Sequence, residues 1–333
     1  MRAVREQDAL PLGSGSPEGE LTASVWPEAP WLPRRPHYLF LILAHVIALA
    51  TVLTRPSVAG AVSVLAMHVV FGCFGITLGY HRLLTHRSLA VPAWLERLLA
   101  VAGALALQGD PIEWVTVHRQ HHRDSDREGD PHNASRGFWF SHMGWIDRSY
   151  FPFVTVERMQ QYAPDLAREP FYRKLRRRYS LLVMAWIAAC WAVAGTDGVL
   201  WGLFVRLVFT DHMTWFVNSA GHALGYQAYR TGDLSTNCFW TALVSFGEGW
   251  HNNHHAHPAS ARHGLAWWQL DFTYLVIRAL ESLGLAWSVR LPSREAIAVG
   301  EAPTGLLAAL GLTWAPARES TEPATGTLDG RAA

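Results

Sequence analysis

The chain has 333 residues, half of them hydrophobic, with 16 tryptophans and a formal net charge of +1. That balance excludes a polyelectrolyte that binds nucleic acid, and the apolar content points to one substantial membrane-embedded unit. Cys73, Cys190 and Cys238 lie far apart with no CxxC pair, which excludes a disulfide framework or an iron–sulfur site.

Residues 1–33, rich in Pro, Gly, Ser and Glu, are expected to be a disordered tail. Apolar segments approaching the length of a membrane helix, about 20 residues for a core of about 30 Å, follow at about 37–54, 58–79, 180–195 and 199–218. The apolar run 95–108, interrupted by Glu96 and Arg97, reads as an amphipathic helix in the interface or packed over the domain. From about residue 301 the composition turns to Ala, Thr, Gly, Pro and Glu, so the domain is expected to cover 34–300 and 301–333 to be a flexible tail.

Charge sets the orientation. Arg34 and Arg35 precede the first span, Arg82 and Arg87 follow the second, and a basic run from Arg173 to Arg178 precedes the third. The connection near Asp197 has no Lys or Arg, and the first hairpin has only Arg55. The positive-inside rule puts both termini and the segment 80–179 in the cytoplasm. The expected fold is an all-α integral membrane protein, with four transmembrane helices in two hairpins and a cytosolic helical cap that holds two metals.

The metals are read from three histidine boxes: His81 and His86 (HxxxxH), His118, His121 and His122 (HxxHH), and His251, His254 and His255 (HxxHH). Eight imidazoles exceed the four ligands that close a structural zinc site, which points to two ions. Imidazole suits iron, and so many neutral ligands fit a redox-capable centre. Residues three and four apart share a helix face, so each HxxHH can converge from one short helix. His81 and His86 are about 140° apart on an ideal helix and cannot reach one site from a straight one. His81 is expected to end the second span and His86 to follow a bend that Gly79 permits.

Other residues are placed around the boxes. Asn218 and His222 are one turn apart at the end of the fourth span, so both can face the metals. Asp126, Asp130 and Glu248 are candidate acceptors that fix imidazole tautomers, with helix caps or surface charges as the plainer reading. His45 and His68, inside predicted spans, are expected to be structural and to hydrogen-bond each other or nearby carbonyls. His132, His142, His257 and His263 read as scaffold.

The boxes sit within a longer ordered set: Gly79 to Ser88, Trp114 to His122, Asp130-Pro-His132, Ser141 to Trp145, Trp215 to His222, and Gly247 to His255. Over about residues 36–292 this set resembles the membrane fatty-acyl desaturases, in the branch of acyl-CoA Δ9 desaturases and bacterial acyl-lipid desaturases. The resemblance implies a di-iron enzyme that uses O2 to place a cis double bond, at Δ9, in a long-chain saturated acyl substrate. It also implies that His222 completes nine ligands, that Asn218 reaches a metal through water, and that Trp114 and Trp215 line the substrate tunnel. Gly109, Thr116 and Val117 stand where the acyl-CoA branch has polar head-group contacts, which leaves an acyl-lipid or acyl-carrier substrate open.

Electrons must come from outside, since the chain has no His-Pro-Gly-Gly haem segment. A separate donor of ferredoxin, rubredoxin or cytochrome b5 type, with its reductase, is expected, with Lys174, Arg176, Arg177 and Arg178 as a docking surface. Binding of membrane lipid head groups is the alternative role for these side chains. Gly72, Gly75 and Gly202 are candidate gaps for the acyl tail, with Leu65 and Leu203 as its floor, and close helix packing is their plainer role. Hydroxylases share the three-box plan. A histidine-rich metal transporter, the reading from another class, would place its ligands nearer the bilayer midplane.

Overall fold

The computed structural model describes residues 34–147 and 150–315, so the tail expected at 1–33 lies outside the described residues. Among the described residues the chain is helical, with isolated bridges in place of strands. Two helical segments are long and apolar enough to cross a membrane, Val58–Thr85 and Tyr179–His222, and Leu39–Thr54 is a shorter apolar helix.

Helix α1 (Arg34–Thr54) buries Leu41, Ala44, Ala48 and Thr51, a stripe at helical spacing. Its other face exposes Leu39, Val46, Leu49 and Leu53, so it is apolar on both sides, as a helix in hydrocarbon is. Helix α2 (Val58–Thr85) starts at Ser57, whose hydroxyl accepts from the N–H of Gly60 at 3.0 Å. From Val69 it widens into π winding that continues to Thr85.

Helix α3 (Ala93–Leu105) packs onto α2 through glycine. A Cβ on Gly75 would stand 2.5 Å from the backbone nitrogen of Gly103, and one on Gly79 would stand 3.1 Å from the Leu99 carbonyl oxygen. Gly79 therefore serves close packing inside a continuous helix, and the bend expected there is absent. The run 95–108 is helical as far as Leu105 and packs on α2, with Leu95, Leu99 and Ala100 turned inward.

Helix α9 (Tyr179–Val199) is broken at Ala194 (φ −143°) and Gly195 (φ 57°), the second a conformation that favours glycine. The chain folds back there: the Trp186 indole donates to the Gly202 carbonyl at 3.3 Å, and a Cβ on Gly202 would meet Cys190 Sγ at 2.9 Å. A π turn over Leu200–Val205 leads into α10 (Arg206–Ser219). The turns of the two helical pairs are joined by Arg55 and Asp197, whose ion pair is 2.8 Å long.

The remaining helices gather around the other end of these pairs. Helix α4 (Pro111–Asp124) is capped by Asp110, which accepts from the N–H of Ile112 at 2.9 Å, and has proline in its first turn. Short helices α5 (Phe138–His142), α6 (Val156–Tyr162), α7 (Pro164–Arg168) and α8 (Pro170–Arg177) follow. After α10 come α11 (Phe239–Val244), α12 (His251–Ala256) and α13 (Phe272–Ser282).

The domain boundary expected near 300 moves outward. Gly225 donates to the Thr313 carbonyl and Ala315 to the Ala223 carbonyl, each at 2.8 Å, which ties residues up to 315 to the body of the fold. Composition does not report such main-chain pairing. Residues 316–333 lie outside the described residues.

Candidate metal centre

The nine histidines named above fall into two groups. His81, His86, His118, His122 and His254 form one, and His121, His222, His251 and His255 the other, with the ligand atoms of each group within 4.8 Å of one another. Each HxxHH box is split between them. The pair four apart (118 and 122, 251 and 255) goes to one group, and the residue three along (121, 254) goes to the other. Spacing led us to expect that each box converges on one site, but α4 and α12 lie between both groups and serve each.

His81 and His86 join the same group because of the π winding. In a π-helix the bond runs from i to i+5, and the His86 N–H donates to the His81 carbonyl at 3.1 Å. Residues five apart then share a face, and the two ring centroids are 4.8 Å apart. No bend is needed.

Four imidazoles are held from behind by carboxylates. His81 Nδ1 lies 2.5 Å from Glu248, His121 Nδ1 3.0 Å from Asp130, His222 Nδ1 2.9 Å from Asp126, and His255 Nδ1 2.8 Å from Asp233. An ionised carboxylate only accepts, so Nδ1–H is the donor in His121, His222 and His255, which turns their Nε2 atoms towards the other histidines. Burial alone would raise Asp126, Asp130 and Asp233, but the facing imidazoles and N–H donors hold all three well below the usual carboxylate range. Burial first, then neighbouring imidazoles, pushes His86, His118, His122, His251 and His254 well below the ordinary histidine value. These rings are neutral, the form that ligates a metal.

The residues fit a pair of cations. His121 and His255 each give their one N–H to an aspartate, yet their Nε2 atoms face each other at 3.3 Å. Two lone pairs so placed repel unless a cation lies beside them. His251 Nε2 is 3.0 Å from both His222 Nε2 and His255 Nε2, and His254 Nε2 is 2.9 Å from His122 and 3.1 Å from His81. Nitrogens about 2.1 Å from one ion, the distance known for zinc and imidazole, and at right angles to each other stand about 3 Å apart.

Two adjoining cavities reach the histidines. The first is lined by Phe40 and Leu41 of α1, by Trp145 and Ile146, and by Trp215, and the second extends to His68, Gly72 and Phe246. They share Trp114, His118, Thr214 and Asn218, and His251 lines the second. Trp114 stacks on His118, with centroids 5.0 Å apart. Gly72 is on the wall, whereas Gly75 and Gly202 pack against backbone and Cys190, and Leu65 is exposed.

Of the two partners expected for His45 and His68, each takes a nearby carbonyl and not the other histidine. His68 bonds the Val244 carbonyl at 2.9 Å and His45 the Leu41 carbonyl at 2.7 Å, and His45 also meets His212 at 3.1 Å. His212 in turn meets His142 at 2.9 Å, and His142 meets Ser219 at 2.9 Å, so three imidazoles link α1, α10 and α5. His212 was not singled out in the sequence, and neither was Asp233, which precedes His255 by 22 residues in a loop with no local signal. Glu248, for which a cap or surface charge was the plainer reading, is buried between His81 and Arg82. Arg176 is drawn inward to Asp110 and Glu113, which removes it from the expected docking surface.

A helical protein with apolar helices of membrane length and buried histidine clusters fit for metal binding is thus defined. The profile of the family described as fatty acid desaturase matches residues 55–290, and the chain belongs to that family. It is an oxidoreductase. An sn-1 stearoyl-lipid 9-desaturase of Synechocystis is 44% identical over 260 residues, 78% of this chain and 81% of its own. The chloroplastic palmitoyl-monogalactosyldiacylglycerol delta-7 desaturase of Arabidopsis thaliana is 50% identical over 237 residues, 70% of this chain and 63% of its own. An acyl-CoA 5-desaturase of Anemone leveillei is 45% identical over 257 residues, 77% of this chain and 79% of its own.

Proposed function

We propose that the chain is an O2-dependent desaturase that introduces a cis double bond, at Δ9, into a long-chain saturated fatty acyl group. The observation that carries this reading is the pair of histidine clusters set against two adjoining cavities, one reaching α1 and the other Gly72. The nine histidines would hold two irons, with Asn218 reaching a metal through water. Bound iron would supply the activation of dioxygen and the withdrawal of hydrogen from saturated carbon. In sum, –CH2–CH2–, O2, two electrons and two protons become –CH=CH– and two waters. The protein's part is to hold the acyl chain along Trp114 and Trp215, to keep the site dry, and to fix the imidazole tautomers through Asp126, Asp130, Asp233 and Glu248.

For topology we retain four spans in two hairpins, at 37–54, 58–79, 180–195 and 199–218, with the metal cap and both termini cytoplasmic. Two findings support it: the turns joined by Arg55 and Asp197, and basic residues placed at the other ends of the spans. The first cavity's described lining includes Glu113 and Asp211 but no Lys or Arg, which favours a lipid-linked acyl chain over a polyphosphate carrier. Electrons would come from a ferredoxin, rubredoxin or cytochrome b5 type donor and its reductase, docking on exposed Lys174, Arg177 and Arg178.

The test is lipid analysis of cells that express the chain and lack a desaturase of their own, with double-bond position fixed by mass spectrometry. Δ9 monoenes in glycerolipids are expected. A hydroxylated product would move the chain to the hydroxylase reading of the same plan, and an unaltered acyl profile from a metal-loaded, reduced enzyme would refute both.

A further inference from the structure

We propose that the two histidine clusters are unequal metal sites, and that the four-histidine site takes the first ion because three carboxylates stand directly behind it. This rests on the metal-binding reading of the nine histidines.

The inequality is one of charge in the layer behind the imidazoles. In the four-histidine group three of four rings donate to an aspartate: His121 to Asp130, His222 to Asp126 and His255 to Asp233. Each aspartate uses both oxygens as acceptors. Asp126 also takes the N–H of Leu234 (2.7 Å) and of Ala134 (3.2 Å), and Asp130 takes those of Asp126 (2.8 Å) and His132 (3.0 Å). Asp233 takes the Thr231 hydroxyl (2.6 Å) and the Ser235 N–H (3.0 Å). A carboxyl that only accepts is the anion. Among the described residues no Lys or Arg forms an ion pair with any of the three.

The five-histidine group is different. One of its rings, His81, has a carboxylate behind it, and that carboxylate, Glu248, is bound by the buried Arg82 at 3.0 Å. Each group also has one buried Nδ1 with no hydrogen-bond partner, His254 here and His251 in the four-histidine group, so the difference lies in the carboxylates alone. A divalent ion entering the four-histidine site meets three carboxylates that, among the described residues, no Lys or Arg pairs, and one entering the five-histidine site meets a single carboxylate that shares a buried arginine with Asp271. A carboxylate behind an imidazole also raises its basicity, and losing such a partner typically weakens metal binding by about 10–100-fold.

The experiment uses the full chain in lipid nanodiscs, stripped of metal and titrated with Co2+ against a chromophoric chelator. Two phases are expected, the tighter by about tenfold or more. His251→Ala should remove the tight phase, and His86→Ala the loose one. Asp233→Asn should weaken the tight phase by about 10–100-fold without moving the loose phase, and Asp233→Glu, which keeps the charge, should restore it. Asp130→Asn repeats the test at a second position, and the thermal midpoint of each metal-free variant separates misfolding from weakened binding. Two phases of equal affinity, a tight phase that survives His251→Ala, or equal shifts of both phases in the aspartate variants would each overturn the proposal. Absence of any Co2+ uptake by the unaltered chain would instead overturn the metal reading beneath it.

Discussion

Arg82 and Glu248 are joined inside the protein: the Nε and Nη2 of the guanidinium both donate to one oxygen of the carboxylate, at 3.2 and 3.0 Å, and the other oxygen faces His81. Arg82 is fully buried and also bonds Asp271 and the Ala261 carbonyl. One side chain thus gathers α2, the segment before α12 and the segment before α13. Removing it leaves two buried carboxylates without their cation. Arg82→Leu is expected to cost about 3–5 kcal/mol of stability, read by chemical denaturation in micelles. A loss under about 1 kcal/mol, the size of an exposed pair, would show that the network does not hold these segments together.

The metal reading predicts a sharp division among histidines. Alanine in place of any of the nine should lower bound metal and abolish desaturation while the chain stays in the membrane. His257, half-buried against Tyr229 and outside both groups, is the control: His257→Ala should retain metal and product. Metal analysis and lipid profiles of the ten variants decide it, and full activity in three or more of the nine would remove those residues from the ligand set.

Gly72 and Gly75 of α2 meet different partners and should behave differently when filled. A side chain at position 72 would project beside His68 and Phe246 at the inner end of the cavity, its Cβ 2.9 Å from His68 Nδ1. Gly72→Trp is expected to shift products toward shorter acyl chains with metal content unchanged. Gly75→Val would drive its Cβ against backbone of α3 at 2.5 Å, and overpacking of that kind costs about 1–3 kcal/mol or more. It should therefore reduce folded protein without altering chain-length preference. Gas chromatography of the lipids alongside thermal midpoints separates the two outcomes.

The histidine chain from His45 to Ser219 predicts an acid-sensitive stability. His142 would take up a proton near pH 6.5 in the unfolded chain, whereas burial first, then the neighbouring His212, pushes it down to about 4 in the fold. Between those values the unfolded chain binds more protons, so stability falls as pH is lowered through that window. Melting midpoints should drop on going from neutral pH to about 5, with a shallower slope in His142→Phe. Equal slopes in the two proteins would exclude His142 as a source.

The parts of this architecture carried by local chemistry were legible in the sequence. The histidine boxes stand out by spacing, and the apolar runs by length and composition. What was not legible depends on backbone winding or on distant segments. The π winding of α2 has no side-chain signature, so His81 and His86 looked too far apart around a helix to share a site. Asp233 meets His255, and His212 meets His45, only through tertiary contact. Composition likewise placed residues 301–315 in a tail because it does not register the main-chain bonds of Thr313 and Ala315.

The splitting of each HxxHH box has a consequence for how the centre comes together. His121 stands with ligands from α12, and His254 with ligands from α4, so neither cluster can be completed by one helix alone. A small slide of α4 or α12 along its axis would disturb both clusters in the same movement. The two sites are therefore mechanically geared through α4 and α12: a displacement of either helix reaches both clusters, whereas a change confined to one side chain reaches one.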